Sequence, residues 1–145
     1  MQEQGKLGLI ENIDHYLPED FHRVNDQNKP VTMLQLMNHQ AGYDDYLIHL
    51  FGREDNITSL KEGLEEHKVS QIYNPGFASC YSNYGAALAG FVVENIVEKP
   101  FYEYVEKSIF EPLGMTKTKM NPQLDPVLKT EKSKAYTTNG NSLVE

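Results

Sequence analysis

Little in this chain ties it to metal, disulfide or nucleic acid. Its 145 residues include one cysteine, Cys80, so no intrachain disulfide can form. A single thiol leaves the compartment open, because exported bacterial proteins often do without disulfides. Basic residues number 13 against 21 acidic ones, for a formal net charge of -8 and a pI near 5.1. Nucleic acid calls for a basic face, so the balance argues against that partner. No apolar run approaches the roughly 20 residues that span a bilayer. The opening MQEQGKLG lacks the positive and apolar regions of a signal peptide. The five histidines, His15, His22, His39, His49 and His67, form no HExxH motif and no zinc-spaced Cys/His pair. GKLG at 5–8 lacks the flanks of a phosphate loop. No metal or other cofactor is expected.

What is present suffices for one domain. Hydrophobic residues make up 39% and charged residues 23%. Acidic pairs such as Asp44-Asp45 and Glu65-Glu66 read as solvated surface. MQEQ followed by Gly5 reads as the end of a helix closed by a left-handed residue. One turn has no stability of its own, which suggests that the start of that helix lies outside the chain. Residues 6–31 are irregular, with Pro18 and Pro30 as breakers. Thr32 with Gln35 and Ser59 with Glu62 are capping-box pairs, predicting helices from Met33 to about His39 and over 58–67. Asn74-Pro75-Gly76 is a turn signal. Ser82 can cap the longest helix, about 83–98, whose apolar stripe is Ala87, Leu88, Phe91, Val92 and Ile96. Gly85 and Gly90 within it point to close packing by a neighbour. Pro100 suits the first position of the next helix, with Phe101, Tyr104, Val105 and Ile109 facing inward and Pro112 and Gly114 stopping it. The Pro-, Lys-, Thr- and Asn-rich tail reads as loop, and no run of strands stands out.

The chemistry concentrates in SCYSNYG, residues 79–85. Cys80 has no histidine or second cysteine nearby in sequence and reads as a small buried residue rather than a nucleophile. His39, in NHQAG, reads as a structural histidine bonding the turn rather than a catalytic one. For Tyr81-Ser82-Asn83 two readings stand, a helix cap flanked by packed tyrosines or an active-site motif. Spacing alone favours the cap.

Four stretches, in order, resemble the serine β-lactamase and penicillin-binding-protein superfamily, closest to its class C-like, D,D-peptidase branch. They are QEQGKLGLIENIDHYLPE, VTMLQLMNHQAGYDDY, YNPGFASCYSNYG and FYEYVEKSIFEPLGMTKT, and the resemblance extends over roughly residues 3–120. They are similar, in turn, to the segment after the nucleophile helix, the helix ending in a His-Thr-Ser-Gly signature, the Pro-Gly turn before a Tyr-x-Asn motif, and the helix with its Pro-Leu-Gly-Met turn. The resemblance implies a mainly α chain, the all-helical region of that fold, with little or no sheet. It divides the chain into 1–31, the end of the nucleophile helix and its connection, 32–120, the helical domain with the Tyr-Ser-Asn motif, and 121–145, a loop leading back to an α/β region.

The family's chemistry is acyl transfer to a serine, through Ser-x-x-Lys, Tyr-x-Asn and Lys-Thr-Gly-like elements. By resemblance, Tyr81 is the phenol that relays the proton to and from the nucleophile. A free phenol titrates near 10, and ammonium groups from the other two motifs would favour its phenolate. Asn83 binds the motif lysine through its carbonyl end and the substrate amide through its amino end. Ser82 is the variable middle position and the helix cap. The departures are plain. No serine is followed three residues on by lysine, and Lys117-Thr118-Lys119 and Lys129-Thr130-Glu131 lack the glycine. Both absences follow if the nucleophile lies upstream of Met1 and the strand triad downstream of Glu145. Gln40 and Ala41 replace the usual Thr and Ser of the histidine signature, a subfamily trait in a structural turn.

The expected parent is a hydrolase acting on peptide, ester or β-lactam carbonyls, with a peptidoglycan stem peptide or a β-lactam as partner, outside the cytoplasmic membrane. The isolated chain is expected to be inactive. Apolar faces meant for the α/β region would be exposed, which predicts self-association or some disorder at both ends. The alternative is a non-catalytic homologue that binds cell-wall peptide or a protein partner through the same cleft. An esterase or aminopeptidase of the same family is a third option.

Overall fold

The computed structural model describes residues 1–45, 58–121, 123–124, 126–131, 137–139 and 142–144, so His49 lies outside the described residues. The chain is mainly helical, and several helix starts have a local chemical cause. Gln2–Gln4 form a 3-10 turn closed by Gly5 at φ 65. A second 3-10 turn, Ile13–Tyr16, begins at Asn12, whose side chain accepts from the Asp14 amide at 3.2 Å. Helix α1 (Met33–Met37) opens on a complete capping box. Thr32 Oγ1 accepts from the Gln35 amide at 3.2 Å, and Gln35 Oε1 accepts from the Thr32 amide at 2.9 Å. Helix α2 (Leu60–Glu66) repeats the device with Ser59 and Glu62.

Helix α3 (Asn83–Val97) is the element around which the others pack. It contacts α1, α2, helix α4 (Phe101–Val105) and the Ile13–Tyr16 turn. Leu88, Phe91 and Val92 form its buried face, with Phe21 edge-on to Phe91 at 4.9 Å between ring centroids. A Cβ on Gly90 would lie 3.5 Å from the Phe101 ring and 3.6 Å from Leu60, so α2 and α4 do close on the helix there.

Pro100 is the N-cap of α4 rather than its first residue, and the Phe101 amide is capped from α3, donating to Glu94 Oε2 at 2.9 Å. The helix then runs into a π-helical turn, Glu106–Phe110. That turn shifts the phase of the apolar stripe. Ile109, expected to face inward, is consequently exposed. The tail differs from the loop expected of it. Pro126–Glu131 form a short helix, α5, and β1 (Thr137–Asn139) pairs antiparallel with β2 (Ser142–Val144), Thr138 opposite Leu143. The six strand residues leave the chain mainly α.

A buried cation ties the core to the loop after α1. Arg23 Nε and Nη2 meet the Asp14 carboxylate at 2.5 and 3.0 Å, and Nη2 also donates to the Lys29 carbonyl at 3.1 Å. Tyr43 Oη donates to the Val24 carbonyl at 2.9 Å and lies 3.5 Å from Arg23 Nη1. Burial pushes the Tyr43 phenol up to about 12, and Arg23 offsets this only in part.

Candidate active site

The loop 38–45 is held as an edge against residues 70–73. The Ile72 and Tyr73 amides donate to the Gly42 carbonyl at 2.8 and 3.2 Å, and the Asp44 amide donates to the Ser70 carbonyl at 2.9 Å. Gly42 stands at φ +81, and a Cβ there would sit 2.1 Å from the Tyr73 carbonyl oxygen. Only glycine meets both demands. Gln71, buried beneath, donates through Nε2 to the Ala41 carbonyl at 2.8 Å. The turn at Asn74-Pro75-Gly76 then reverses the chain, with the Phe77 amide donating to the Asn74 carbonyl at 3.0 Å and Gly76 at φ +84.

These two segments place SCYSNYG. The Cys80 amide donates to the His39 carbonyl at 2.7 Å, and the Ser82 amide donates to His39 Nδ1 at 3.3 Å. An Nδ1 that accepts puts the ring proton on Nε2. The His39 ring lies 4.5 Å from the Tyr81 ring, centroid to centroid. His39 therefore bonds the extended segment leading into the motif and backs the phenol. Its own backbone is left-handed, at φ 54.

Ser82 is 3% exposed and is the N-cap of α3. Its Oγ accepts from the Gly85 amide at 3.1 Å and donates to the Asp44 carbonyl at 2.9 Å. The residues on either side of it are more open. Tyr81 is 62% exposed and Asn83 half-buried. Tyr81 Oη donates to Asn83 Oδ1 at 3.1 Å. A phenol hydroxyl and an amide carbonyl thus meet at an open surface, at the N-terminal end of α3. Tyr84 is buried, edge-on to Tyr43 at 5.1 Å, and serves packing. Cys80 is half-buried rather than fully buried.

Sequence reasoning missed Asp45. Read as solvated surface, it is half-buried, and its carboxylate accepts from the Asn83 amide at 2.9 Å and from Asn83 Nδ2 at 3.2 and 2.9 Å. An acidic residue facing the amide that opens a helix also suits the positive end of the helix dipole. The two residues are 38 positions apart, so no local pattern announces the pair. Among the described residues, no group of three or more His, Cys, Asp or Glu could hold a metal ion, and no helix is long and apolar enough to cross a membrane.

Known proteins match the chain along nearly all of it. The family profile described as Beta-lactamase matches residues 1–142. A protein of Escherichia coli K12 named "Putative D-alanyl-D-alanine carboxypeptidase" is 32% identical, over 98% of this chain and 34% of its own length. Penicillin-binding protein 4* of Bacillus subtilis is 28% identical, over 87% of this chain and 28% of its own. The chain thus spans about a third of the curated relatives it matches. In shape it is similar to a D-amino acid amidase from Ochrobactrum anthropi SV3, at TM-score 0.75 and 24% identity, covering 99% of this chain and 40% of the amidase. At that identity the likeness speaks to the fold. With these matches, and with the helical arrangement the resemblance implied, the chain belongs to the beta-lactamase family of serine hydrolases, alongside penicillin-binding proteins and carboxypeptidases.

Proposed function

We propose that residues 1–145 are the helical portion of a hydrolase that acylates a serine with a peptide, ester or β-lactam carbonyl and then passes the acyl group to water. The observation that carries this reading is the 3.1 Å hydrogen bond from Tyr81 Oη to Asn83 Oδ1 at an open surface. Tyr81 would take the proton from the attacking serine hydroxyl and return it to the leaving group. Asn83 would offer its carbonyl to an ammonium and its amino end to the substrate. The serine and the strand that completes the site would come from other parts of the protein, since these residues hold no Ser-x-x-Lys and no Lys-Thr-Gly. A cell-wall stem peptide outside the cytoplasmic membrane is the substrate that the relatives' names favour. Exposed Ile10, Phe77, Leu113 and Val127 are consistent with surfaces that another part of the protein covers, and with self-association when they are bare.

The test compares the 145-residue chain with the full-length protein that carries it, using nitrocefin and a chromogenic ester. The short chain turns over neither. Tyr81→Phe lowers kcat of the full-length enzyme by about a hundredfold or more, the scale of a lost proton relay. Turnover by the short chain that Tyr81→Phe abolishes would refute the division of labour. A full-length Tyr81→Phe enzyme with an unchanged rate would refute the role of the phenol. Full-length protein that binds a stem peptide without turnover would point to the non-catalytic homologue instead.

A further inference from the structure

The Asp45 carboxylate meets Asn83 at three places. Oδ1 accepts from the Asn83 backbone amide at 2.9 Å and from Nδ2 at 3.2 Å, and Oδ2 accepts from Nδ2 at 2.9 Å. A carboxylate only accepts, so it can face only the NH2 end of a side-chain amide. The carbonyl end is turned away, and there Oδ1 accepts from Tyr81 Oη. An Asn83 amide flipped over would set Oδ1 against the carboxylate and offer Tyr81 an N–H in place of an acceptor. The carboxylate itself is well placed to discriminate. Its loop is fixed by the Asp44–Ser70 and Gly42–Ile72 backbone bonds, and Asp44 also receives the Ser82 hydroxyl.

We infer that Asp45 is a positioning residue of the active site: it fixes which end of the Asn83 amide faces Tyr81. This rests on the reading of Tyr81 and Asn83 given above. The two Nδ2 hydrogens diverge too widely to share one carboxylate well. One is committed to Asp45 and the other is left for a substrate carbonyl. Asp45 thereby presents an acceptor toward the phenol and a single donor toward the substrate, and excludes the reverse arrangement. It acts through Asn83 and touches no reacting atom.

The test is a double-mutant cycle in the full-length enzyme, with Asp45→Asn, Asn83→Ala and the pair. An asparagine at position 45 can satisfy either orientation of Asn83, so the choice is lost without a change of size. Asp45→Asn is expected to lower kcat about tenfold with KM within about twofold, the scale of one charge-assisted hydrogen bond. In the Asn83→Ala background the same substitution costs nothing more, because the effect passes through Asn83. Asp45→Glu, still acceptor-only, retains more of the rate than Asp45→Asn. An unchanged kcat in Asp45→Asn, or losses that add in the double variant, would overturn the inference. Should wild-type full-length protein turn over no ester, peptide or β-lactam, the functional reading fails, and NMR of the Asn83 side-chain amide tests Asp45 alone. The two Nδ2 protons are well separated in shift in the wild type and draw together in Asp45→Asn. Unchanged shifts would overturn the inference.

Discussion

Replacing Ser82 by alanine removes the hydroxyl on which the start of α3 depends. That hydroxyl accepts from the Gly85 amide at 3.1 Å and donates to the Asp44 carbonyl at 2.9 Å. At 3% exposure the site is shielded from bulk water. Loss of an N-cap costs about 1 kcal/mol. Loss of the second hydrogen bond costs about another 1 kcal/mol. The sum, about 2 kcal/mol, lowers the melting temperature of a chain this size by about 6 °C. Ser59→Ala is the internal control. Ser59 caps α2 with the same geometry, its Oγ accepting from the Glu62 amide at 3.2 Å, but it is exposed and donates only to Glu62 within its own capping box. It is expected to cost about half as much. Urea and thermal unfolding followed by circular dichroism measure both. A Ser82→Ala loss no larger than that of Ser59→Ala would refute the claim that the Asp44 bond adds to the cap.

Gly42→Ala places a Cβ 2.1 Å from the Tyr73 carbonyl at φ +81, whereas Gly5→Ala, at φ +65, meets nothing within 4 Å. The first is expected to cost more than about 3 kcal/mol and the second about 1–2 kcal/mol, which denaturant midpoints will resolve. Tyr43, its folded pKa raised by burial to about 12 from 10.0, contributes stability that is full below pH 10 and is lost as pH rises toward 12. Absorbance titration of the folded chain, with Tyr43→Phe as reference, should show one tyrosine ionising last, and a Tyr43→Phe chain that loses as much stability as wild type over the same alkaline range would contradict this, since Tyr84, also raised by burial, keeps a share of the loss in both. Glu106 is opposed by burial, but the Met120 and Asn121 amides and the Lys119 ammonium outweigh it and hold the carboxyl below its ordinary 4.5. A lowered pKa gives stability that is full above 4.5 and lost as pH falls. Glu106→Gln should therefore cost about 1–2 kcal/mol at neutral pH, with the gap to wild type closing in acid, and a pH-independent gap would count against it.

Local signals carried much of the fold. Thr32–Gln35 and Ser59–Glu62 each satisfy two helix-end amides within four residues, so sequence alone locates α1 and α2. The stripe from Leu88 to Val92 locates α3 for the same reason, since helical periodicity is a property of neighbours. The π-helical turn at Glu106–Phe110 was not legible, because one extra residue per turn leaves no mark in composition and only rotates the later residues about the helix axis. Prolines near 122 and 126 suggested loop, yet Pro126 is the first residue of α5, where its missing amide hydrogen costs nothing. Strands of three residues are too short for alternation to show. At the site, resemblance singled out Tyr81 and Asn83, and spacing marked Ser82 as a cap. What it could not show was the upstream support. His39 reaches Ser82 across 43 positions and Asp45 reaches Asn83 across 38, and only the folded chain brings them together.

Those two separations govern what can be moved. A peptide cut from 79–98 would carry the Tyr-Ser-Asn triplet and the helix behind it, but neither the imidazole nor the carboxylate that orients them. The smallest transplantable unit is discontinuous. It needs residues 38–45 as well, and beneath them the 70–73 edge that Gly42 crosses without a side chain. Grafting this motif onto another scaffold thus becomes a problem of matching two backbone crossings rather than copying seven letters.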